Sequence, residues 1–210
     1  MDESGCGFAP STPAMAWTSE SFGAYMASEA PKFVEYVLSS LDALKSSESS
    51  STDQGSFDKM QIKNARQWTL DHVCYRCETE EEYNHLSTAV LPAMATLLVE
   101  SEVGGRPIAT FKLREAILLG NGKSVDVLEV PMPKPGSFYK RGLEHAEIVV
   151  PFDLDKFVEA NEALFWDLKG MTKASNREAR IALGPDYNVK FHEQTLETVI
   201  ADELRALRHE

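Results

Sequence analysis

The sequence predicts an α+β fold in which two βαβββ modules form a curled mixed sheet around a central cavity, together with an N-terminal helical layer. Two observations predict this fold. The order strand, helix and three strands occurs twice, once on each side of the proline-rich segment 131–135. Before the first strand, apolar residues recur at helical spacing instead. A chain of 210 residues that is 43% hydrophobic is long enough to bury a substantial core.

The first part of the chain divides into a leader, a helical segment and a polar linker. Residues 1–17 are rich in Gly, Ser and Pro and are predicted to be a disordered leader. Residues 18–58 are predicted to hold the N-terminal helices and a Ser-rich linker, with Pro31 opening the second helix at its first turn. Residues 59–210 are predicted to be the domain that contains the paired βαβββ modules.

The first module begins with a strand and a clearly marked helix. The strand covers residues 68–77, and Thr79 with Glu82 predicts the start of a helix that runs to about Leu91. Three further strands are expected near 95–102, 107–113 and 124–130. Tight turns between them are predicted at Gly104-Gly105 and Gly120-Asn121-Gly122, because glycine adopts positive φ at little cost.

The second module repeats this order and is followed by a closing helix. We expect a strand at 143–150, a helix from 154 to 168, and strands near 171–175, 179–183 and 188–193. From Thr195 onwards an apolar stripe predicts an amphipathic helix. The stripe consists of Leu196, Val199, Ile200, Leu204 and Leu207.

Charge, cysteines and hydropathy exclude several classes of function. The formal net charge of −12 disfavours nucleic acid and membranes as partners, because both attract basic surfaces, so a small-molecule substrate is the expected partner. Cys74 and Cys77 lie three apart in a strand and should point to opposite faces, so they should neither bridge nor share a metal. The sequence shows neither a membrane span nor a secretory signal pattern, and the expected location is the cytoplasm. Because one chain holds two modules, a monomer is expected as well as a homodimer.

Polar, metal-ligating side chains occur inside apolar strands. They are His72, Glu129, His145 and His192, in the first and last strands of the two modules. Such groups are costly to bury without a partner, and imidazole and carboxylate are common ligands of divalent metals. Because alternate residues of a strand share a face, a curled sheet would bring the four side chains to one cavity. The sequence therefore predicts a metal site, against the simpler reading of each histidine as a hydrogen-bonded core or surface residue.

Six short segments carry a family resemblance through their order and spacing. They are Asp71–Arg76, Gly105–Ile108, Phe111–Leu113, Glu129–Pro131, Leu143–Ile148 and Lys190–His192. The chain resembles the YecM-like proteins of the vicinal oxygen chelate superfamily. This resemblance implies two βαβββ modules that hold a divalent metal, as in glyoxalase I, extradiol dioxygenases and methylmalonyl-CoA epimerase. The implied ligands are His72, Glu129, His145 and His192, and glyoxalase-like sites commonly have a carboxylate where His192 stands.

The activity expected from such a site is that of an isomerase, lyase or dioxygenase acting on a small substrate with vicinal oxygens. Glu147 shares a strand face with His145 and is a candidate general base. Arg76, Arg106 and Lys190 are candidates for binding a substrate carboxylate or phosphate. Zn, Ni, Mn, Fe and Co all accept these ligand types, so the metal's identity stays open. A non-catalytic protein that binds a small molecule or metal in the same cavity, and a structural or regulatory partner protein, are the alternative functions.

Overall fold

One mixed sheet of eight strands organises the part of the chain that the structure describes. The structure is a computed structural model that describes residues 16–44, 54–120, 122–138 and 140–208. The strands are β1 (Thr69–Arg76), β2 (Ala95–Glu102), β3 (Pro107–Gly120), β4 (Lys123–Pro131), β5 (Gly142–Val149), β6 (Trp166–Asp167), β7 (Ala179–Leu183) and β8 (Tyr187–His192). The α-helices are α1 (Ser19–Asp42), α2 (Gln54–Met60), α3 (Glu80–His85), α4 (Leu154–Ala160) and α5 (Leu196–Leu207).

Each module contributes four neighbouring strands, and the modules meet at the centre of the sheet. The strand order is β2-β3-β4-β1-β5-β8-β7-β6. In both modules the first strand pairs in parallel with the fourth, as β1 with β4 and β5 with β8, and the two first strands pair antiparallel. The predicted α+β fold with two βαβββ modules is confirmed. The sheet is open, with β2 and β6 at its edges, yet residues of β2 and β7 line one common cavity.

Residues 19–42 form one long helix where the start of a second helix was predicted. α1 begins after Thr18, which forms a reciprocal capping box with Ser21. Pro31 lies inside this helix instead of opening a second one. A proline in a helix interior removes a backbone hydrogen bond, but burial of Phe33 and Val37 on the side facing the sheet favours continuation of the helix.

The predicted leader and linker fall mostly outside the described residues. At the end of the predicted leader, the Trp17 indole donates hydrogen bonds to the Tyr75 hydroxyl at 3.0 Å and to Glu82 at 3.1 Å. α2 occupies the last residues of the predicted linker. The boundaries of these segments stay predictions.

The helix of the first module is shorter than predicted. The Thr79 hydroxyl accepts a hydrogen bond from the Glu82 amide, as expected of a helix start. The α-helix then ends at His85, and the chain continues through a π-helical turn, Leu86–Val90, and a 3₁₀ turn, Leu91–Ala93. The crossover to β2 therefore combines three helical geometries.

The helix of the second module also ends early, and the next strand prediction is wrong. α4 ends at Ala160, where the Asn161 side chain donates to the Phe157 carbonyl at 2.8 Å and so competes with continued helix. The predicted strand at 171–175 is absent from the described structure. The two-residue β6 and a 3₁₀ turn, Lys169–Thr172, take its place.

The two faces of the sheet differ in polarity. One face is apolar and packs against α1 and α4. Tyr75 contacts Phe22 of α1 with ring centroids 5.1 Å apart, and Phe191 contacts Phe157 of α4 at 5.2 Å. The buried apolar core also includes the strand residues Val73, Ala146, Ile148 and Val189. The opposite face carries polar strand residues, so core and candidate site lie on opposite sides of the same strands.

α5 lies over the polar face and is only partly packed. It begins after Thr195, as predicted. Of its predicted apolar stripe, Val199 and Ile200 are buried, whereas Leu204 is 36% exposed and Leu207 is 68% exposed. Among the described residues, neither α5 nor another helix has the length and apolar composition needed to span a membrane.

Candidate metal centre

Strand register places the polar residues of three strands on one face. His72 in β1 lies opposite Glu147 in β5, and Cys74 lies opposite His145. Cys74 is also the register partner of Glu129 in β4. Residues that are paired in register project to the same face, so all five side chains point away from the apolar core.

Four of these side chains converge closely enough to hold a single cation. Nε2 of His145 lies 3.0 Å from a Glu129 oxygen and 3.1 Å from Oε1 of Glu147. Nε2 of His72 lies 3.4 Å from the same Glu147 oxygen. One ligand atom from each of the four residues lies within 4.8 Å of the other three. The structure thus brings together three residues that were predicted as ligands and adds Glu147, which was predicted as a base.

β8 contributes His192 and Lys190 at the border of this group. Lys190 forms an ion pair with Glu147 at 2.6 Å. Nε2 of His192 lies 3.1 Å from the other Glu147 oxygen, and His192 forms a second group with Asp71 and His72 whose ligand atoms lie within 4.8 Å. His192 therefore borders the four-residue group rather than belonging to it.

Buried imidazole nitrogens without a hydrogen bond indicate that the cluster fits a metal. Nε2 of His72, of His145 and of His192 is buried and makes no hydrogen bond to the described residues. Carboxylate oxygens lie near these atoms but not in hydrogen-bonding directions. Because unpaired buried polar atoms are costly, native proteins seldom leave three of them together. A divalent cation would satisfy them, and the imidazole and carboxylate donors suit Zn, Ni, Mn, Fe or Co.

The charged groups of the cluster shift each other's pKa. Burial alone would lower the pKa of His72, but the nearby Glu147 carboxylate contributes most to raising it to about 9. Burial would raise the pKa of Glu129, but the close contact with His145 and the charge of Lys190 bring it to about 2. The pKa of Glu147 is also well below its ordinary value despite burial, because His72 and Lys190 stabilise the carboxylate. Without a metal, the cluster therefore holds ionised carboxylates and protonated His72 at neutral pH.

The other two histidines have different environments. Burial lowers the pKa of His145, but Cys74 and Glu129 raise it well above its ordinary value. Burial raises the pKa of the Cys74 thiol to about 11, so the thiol is neutral near pH 7 and Glu129 is the charged partner there. Burial lowers the pKa of His192, and the attraction of Glu147 does not outweigh it. A neutral His192 follows near pH 7.

Two residues that sequence reasoning missed orient the imidazoles through their Nδ1 atoms. An Asp71 oxygen lies 2.8 Å from Nδ1 of His72, and the Asn176 side-chain oxygen lies 2.8 Å from Nδ1 of His192. Asp71 directly precedes a predicted ligand in the sequence, which is a usable signal. Asn176 lies in the loop before β7 with a φ of 47°, and nothing in its sequence context points to β8.

A third missed residue, Glu144, links a predicted ligand to a predicted substrate-binding residue. One of its oxygens lies 3.7 Å from Nδ1 of His145, and the other pairs with Arg76. Like Asp71, Glu144 directly precedes the histidine that it contacts.

A cavity of about 480 Å³ opens above the cluster. Arg76, Arg106 and Lys190, the predicted substrate-binding residues, all line it. The Arg106 guanidinium also donates to the Met132 carbonyl at 3.1 Å. The cavity walls therefore combine positive charge with the candidate metal ligands.

Two cations that the sequence analysis did not single out also line this cavity. They are Lys173, which pairs with Glu178 at 2.9 Å, and Arg180, which pairs with Asp167. Both belong to the second module: Lys173 lies where the predicted strand at 171–175 is absent, and Arg180 lies in β7. A larger cavity of about 690 Å³ lies against α1 and shares Arg76 with the first.

His85 lies apart from the cluster. Nε2 of His85 is 2.7 Å from the Trp17 carbonyl oxygen, so this histidine helps to hold the start of the described chain. His209 lies outside the described residues.

Comparison with known proteins identifies the family. Residues 51–184 match the family model described as YecM protein. The chain belongs to the YecM family. Protein YecM of Escherichia coli (strain K12) is 28% identical, in an alignment that covers 66% of this chain and 80% of that protein.

Two solved structures are similar to this YecM family member to different extents. A structure described as Structural Genomics, Protein EC4020 aligns with a TM-score of 0.63 and 21% identity, over 91% of this chain and 100% of that chain. A methylmalonyl-CoA epimerase in complex with methylmalonyl-CoA and NH4+ aligns with a TM-score of 0.40 and 11% identity, over 61% of this chain and 96% of that chain. The first likeness shows that the fold described above is one that an experimental structure also has.

Proposed function

We propose that this YecM family member is a divalent-metal-dependent enzyme that acts on a small substrate with two neighbouring oxygen atoms. The observation that supports the proposal most is the convergence of His72, Glu129, His145 and Glu147 at the floor of a 480 Å³ cavity. Ordinary core histidines would have hydrogen-bond partners at both ring nitrogens or lie near water. Here the ring nitrogens that face the carboxylates are left unpaired.

The fourth ligand in this proposal is Glu147 rather than His192. Glu147 belongs to the compact four-residue group, whereas His192 does not. A carboxylate with a pKa well below its ordinary value accepts a proton weakly, which suits a metal ligand better than a general base. Ligation by His192 and base catalysis by Glu147 stay predictions, and the variants described below separate them.

The chemistry that a bound metal would supply is polarisation of two substrate oxygens. The protein's own residues would bind and orient the substrate. Arg106 and Lys190 lie on the cavity wall, where their charges favour a substrate that carries a carboxylate or phosphate. Ile200 of α5 and Ile108 of β3 line the same cavity and reduce the access of water to it.

Metal analysis of the purified protein tests the proposal, with His72→Ala and His145→Ala as variants and His85→Ala as matched control. We expect a single metal ion bound to the wild type and to His85→Ala, and loss of that ion in the other two variants with the fold retained by circular dichroism. If the metal-free wild type bound none of Zn²⁺, Ni²⁺, Mn²⁺, Fe²⁺ or Co²⁺ on titration, the proposal would be wrong.

Two further variants assign roles around the metal. Glu147→Gln keeps the shape of the side chain but removes its charge, and should weaken metal binding if Glu147 is a ligand. His192→Ala should leave metal binding largely intact under the same proposal. The opposite pattern would restore His192 as ligand. Metal binding without turnover of substrates with vicinal oxygens would favour the alternative of a non-catalytic binding protein.

A further inference from the structure

One buried carboxylate oxygen joins the candidate metal centre to the C-terminal helix. Oδ2 of Asp71 accepts a hydrogen bond from the backbone amide of Leu196 at 3.0 Å and lies 2.8 Å from Nδ1 of His72. The Asp71 side chain is 3% exposed. An ionised carboxylate only accepts hydrogen bonds, so it holds the proton of a neutral His72 on Nδ1 and directs the lone pair of Nε2 toward the cluster.

The amide that Asp71 binds is the first of α5. Thr195 is the N-cap of this helix, so the Leu196 amide is among those that no carbonyl within the helix can reach. Asp71 of β1, which is far from α5 in the sequence, supplies the missing acceptor. The start of α5 is therefore fixed to the residue next to a candidate metal ligand.

Polar contacts and a small apolar patch also hold α5 over the cavity. Glu197 pairs with Lys112 of β3 at 2.7 Å, and Glu203 accepts a hydrogen bond from Ser175 at 2.8 Å. The buried apolar residues of the helix are Val199 and Ile200. A helix held by so little apolar surface is expected to open at low free-energy cost.

We propose that Asp71 is a positioning residue that couples the docking of α5 over the cavity to the metal-binding orientation of His72. The same oxygen serves both groups, so docking of α5 favours the orientation that binds metal. By thermodynamic reciprocity, metal binding favours a docked α5. This inference rests on the proposed metal site and adds a closing helix to it.

A substitution at the first position of α5 removes the link without altering the cluster. Proline lacks the amide proton and is favoured at the first position of a helix. Thr195 has φ of −69° and ψ of 148°, an extended conformation that a residue before proline adopts readily. Leu196→Pro therefore deletes the hydrogen bond to Asp71, and Leu196→Ala is the matched control that shortens the side chain but keeps the amide.

The first measurement is hydrogen exchange of α5 in full-length protein, with and without saturating Zn²⁺. In the wild type and in Leu196→Ala we expect Zn²⁺ to slow exchange of residues 199–207. In Leu196→Pro and in Asp71→Ala that slowing should be lost. Equal slowing by Zn²⁺ in all four proteins would overturn the inference, even though the metal site itself would stand.

The second measurement is Zn²⁺ affinity by competition with a chelator, together with the visible absorption spectrum of the Co²⁺-loaded protein. Asp71→Ala should lose about 10- to 100-fold in affinity and change the Co²⁺ spectrum, because His72 is no longer oriented. Asp71→Asn keeps an acceptor oxygen and should recover part of the Zn²⁺ affinity and part of the wild-type Co²⁺ spectrum. Wild-type affinity and spectrum in Asp71→Ala would overturn the inference, whereas a wild type that binds no metal would overturn the proposed function instead.

Discussion

Metal binding at the cluster should release a proton at neutral pH and should strengthen as the pH rises. The pKa of His72 is raised to about 9 in the metal-free protein, against an ordinary value of 6.5, chiefly by Glu147 acting against the effect of burial. An imidazole must be neutral to bind a metal. At pH 7, which is about 2 units below its pKa, His72 must therefore lose a proton when the metal binds. This loss costs about 2.7 kcal/mol and lowers the apparent metal affinity about 100-fold.

Titration calorimetry with Zn²⁺ checks this number. Measured at pH 7 in buffers of different ionisation enthalpy, it gives the protons released per metal, and we expect at least one. Apparent affinity should rise about tenfold per pH unit for each proton released between pH 6 and pH 8, and the part of this rise that is due to His72 should level off as the pH passes its pKa. The His85→Ala control should release the same number as the wild type.

The metal-free protein should show the opposite trend in stability. Because the folded-state pKa of His72 is raised, its contribution to stability is complete below about pH 6.5 and is lost as the pH rises through about 9. Thermal unfolding at several pH values, with and without Zn²⁺, measures both trends. Zn²⁺ binding at pH 7 without proton release, or an affinity that is flat from pH 6 to pH 9, would show that the charge state assigned to the cluster is wrong.

Three further predictions concern the scaffold and can be measured by urea unfolding. Pro31→Ala should stabilise the protein by about 1–3 kcal/mol by restoring a helix hydrogen bond in α1, and a lower midpoint would contradict this. Gly170→Ala should destabilise it, because the new Cβ would lie 2.2 Å from Glu178 Cγ and 2.8 Å from its backbone oxygen. The matched change Gly23→Ala in α1 meets only Met94 at 3.5 Å and should stabilise by about 0.5–1 kcal/mol, and equal effects of the two changes would refute the packing argument. Phe191→Ala should cost about 3–5 kcal/mol, since this fully buried ring packs against Phe157, and a loss below 1 kcal/mol would contradict its place in the core.

Strand periodicity and turn glycines carried most of the information about the fold. The predicted strands at 95–102 and 179–183 coincide with β2 and β7, and Gly104 and Gly105 have the positive φ expected of a tight turn. Apolar periodicity failed to predict the end of a helix where a side chain competes for the backbone hydrogen bonds. Asn161 ends α4 by binding a carbonyl one turn earlier, which no apolar periodicity reveals.

Pro31 shows a different failure. A proline is favoured at a helix start, so local preference alone predicts a new helix there. In the structure, the residues on both sides of Pro31 pack on the same sheet, and a continuous α1 buries Met26 and Val34 together. Tertiary packing therefore outweighs the local preference, and only the fold reveals this.

The choice between His192 and Glu147 as proposed fourth ligand depends on the register between neighbouring strands. The alternation of side chains along a single strand does not reveal this register. In the first module, Glu129 of β4 is the register partner of Cys74 in β1. Across the junction between modules, Cys74 pairs with His145 and His72 pairs with Glu147. The local two-fold axis between β1 and β5 therefore exchanges the two candidate ligand histidines and makes Glu147 the counterpart of Cys74.

The same relation identifies the counterpart of Glu129 in the second module. Glu147 pairs with Lys190 of β8, so Lys190, and not His192, occupies the position that Glu129 has in the first module. A cation at that position cannot bind a metal, but it forms a 2.6 Å ion pair with Glu147 and keeps that carboxylate ionised. His192 lies two residues further along β8 and contacts Oε2 of Glu147, whereas His72 and His145 contact Oε1. In the proposed site the carboxylate of the second module, Glu147, comes from the central strand β5, whereas that of the first module, Glu129, comes from β4. A prediction that matches strand positions between the modules does not include this asymmetry, and so it selected His192.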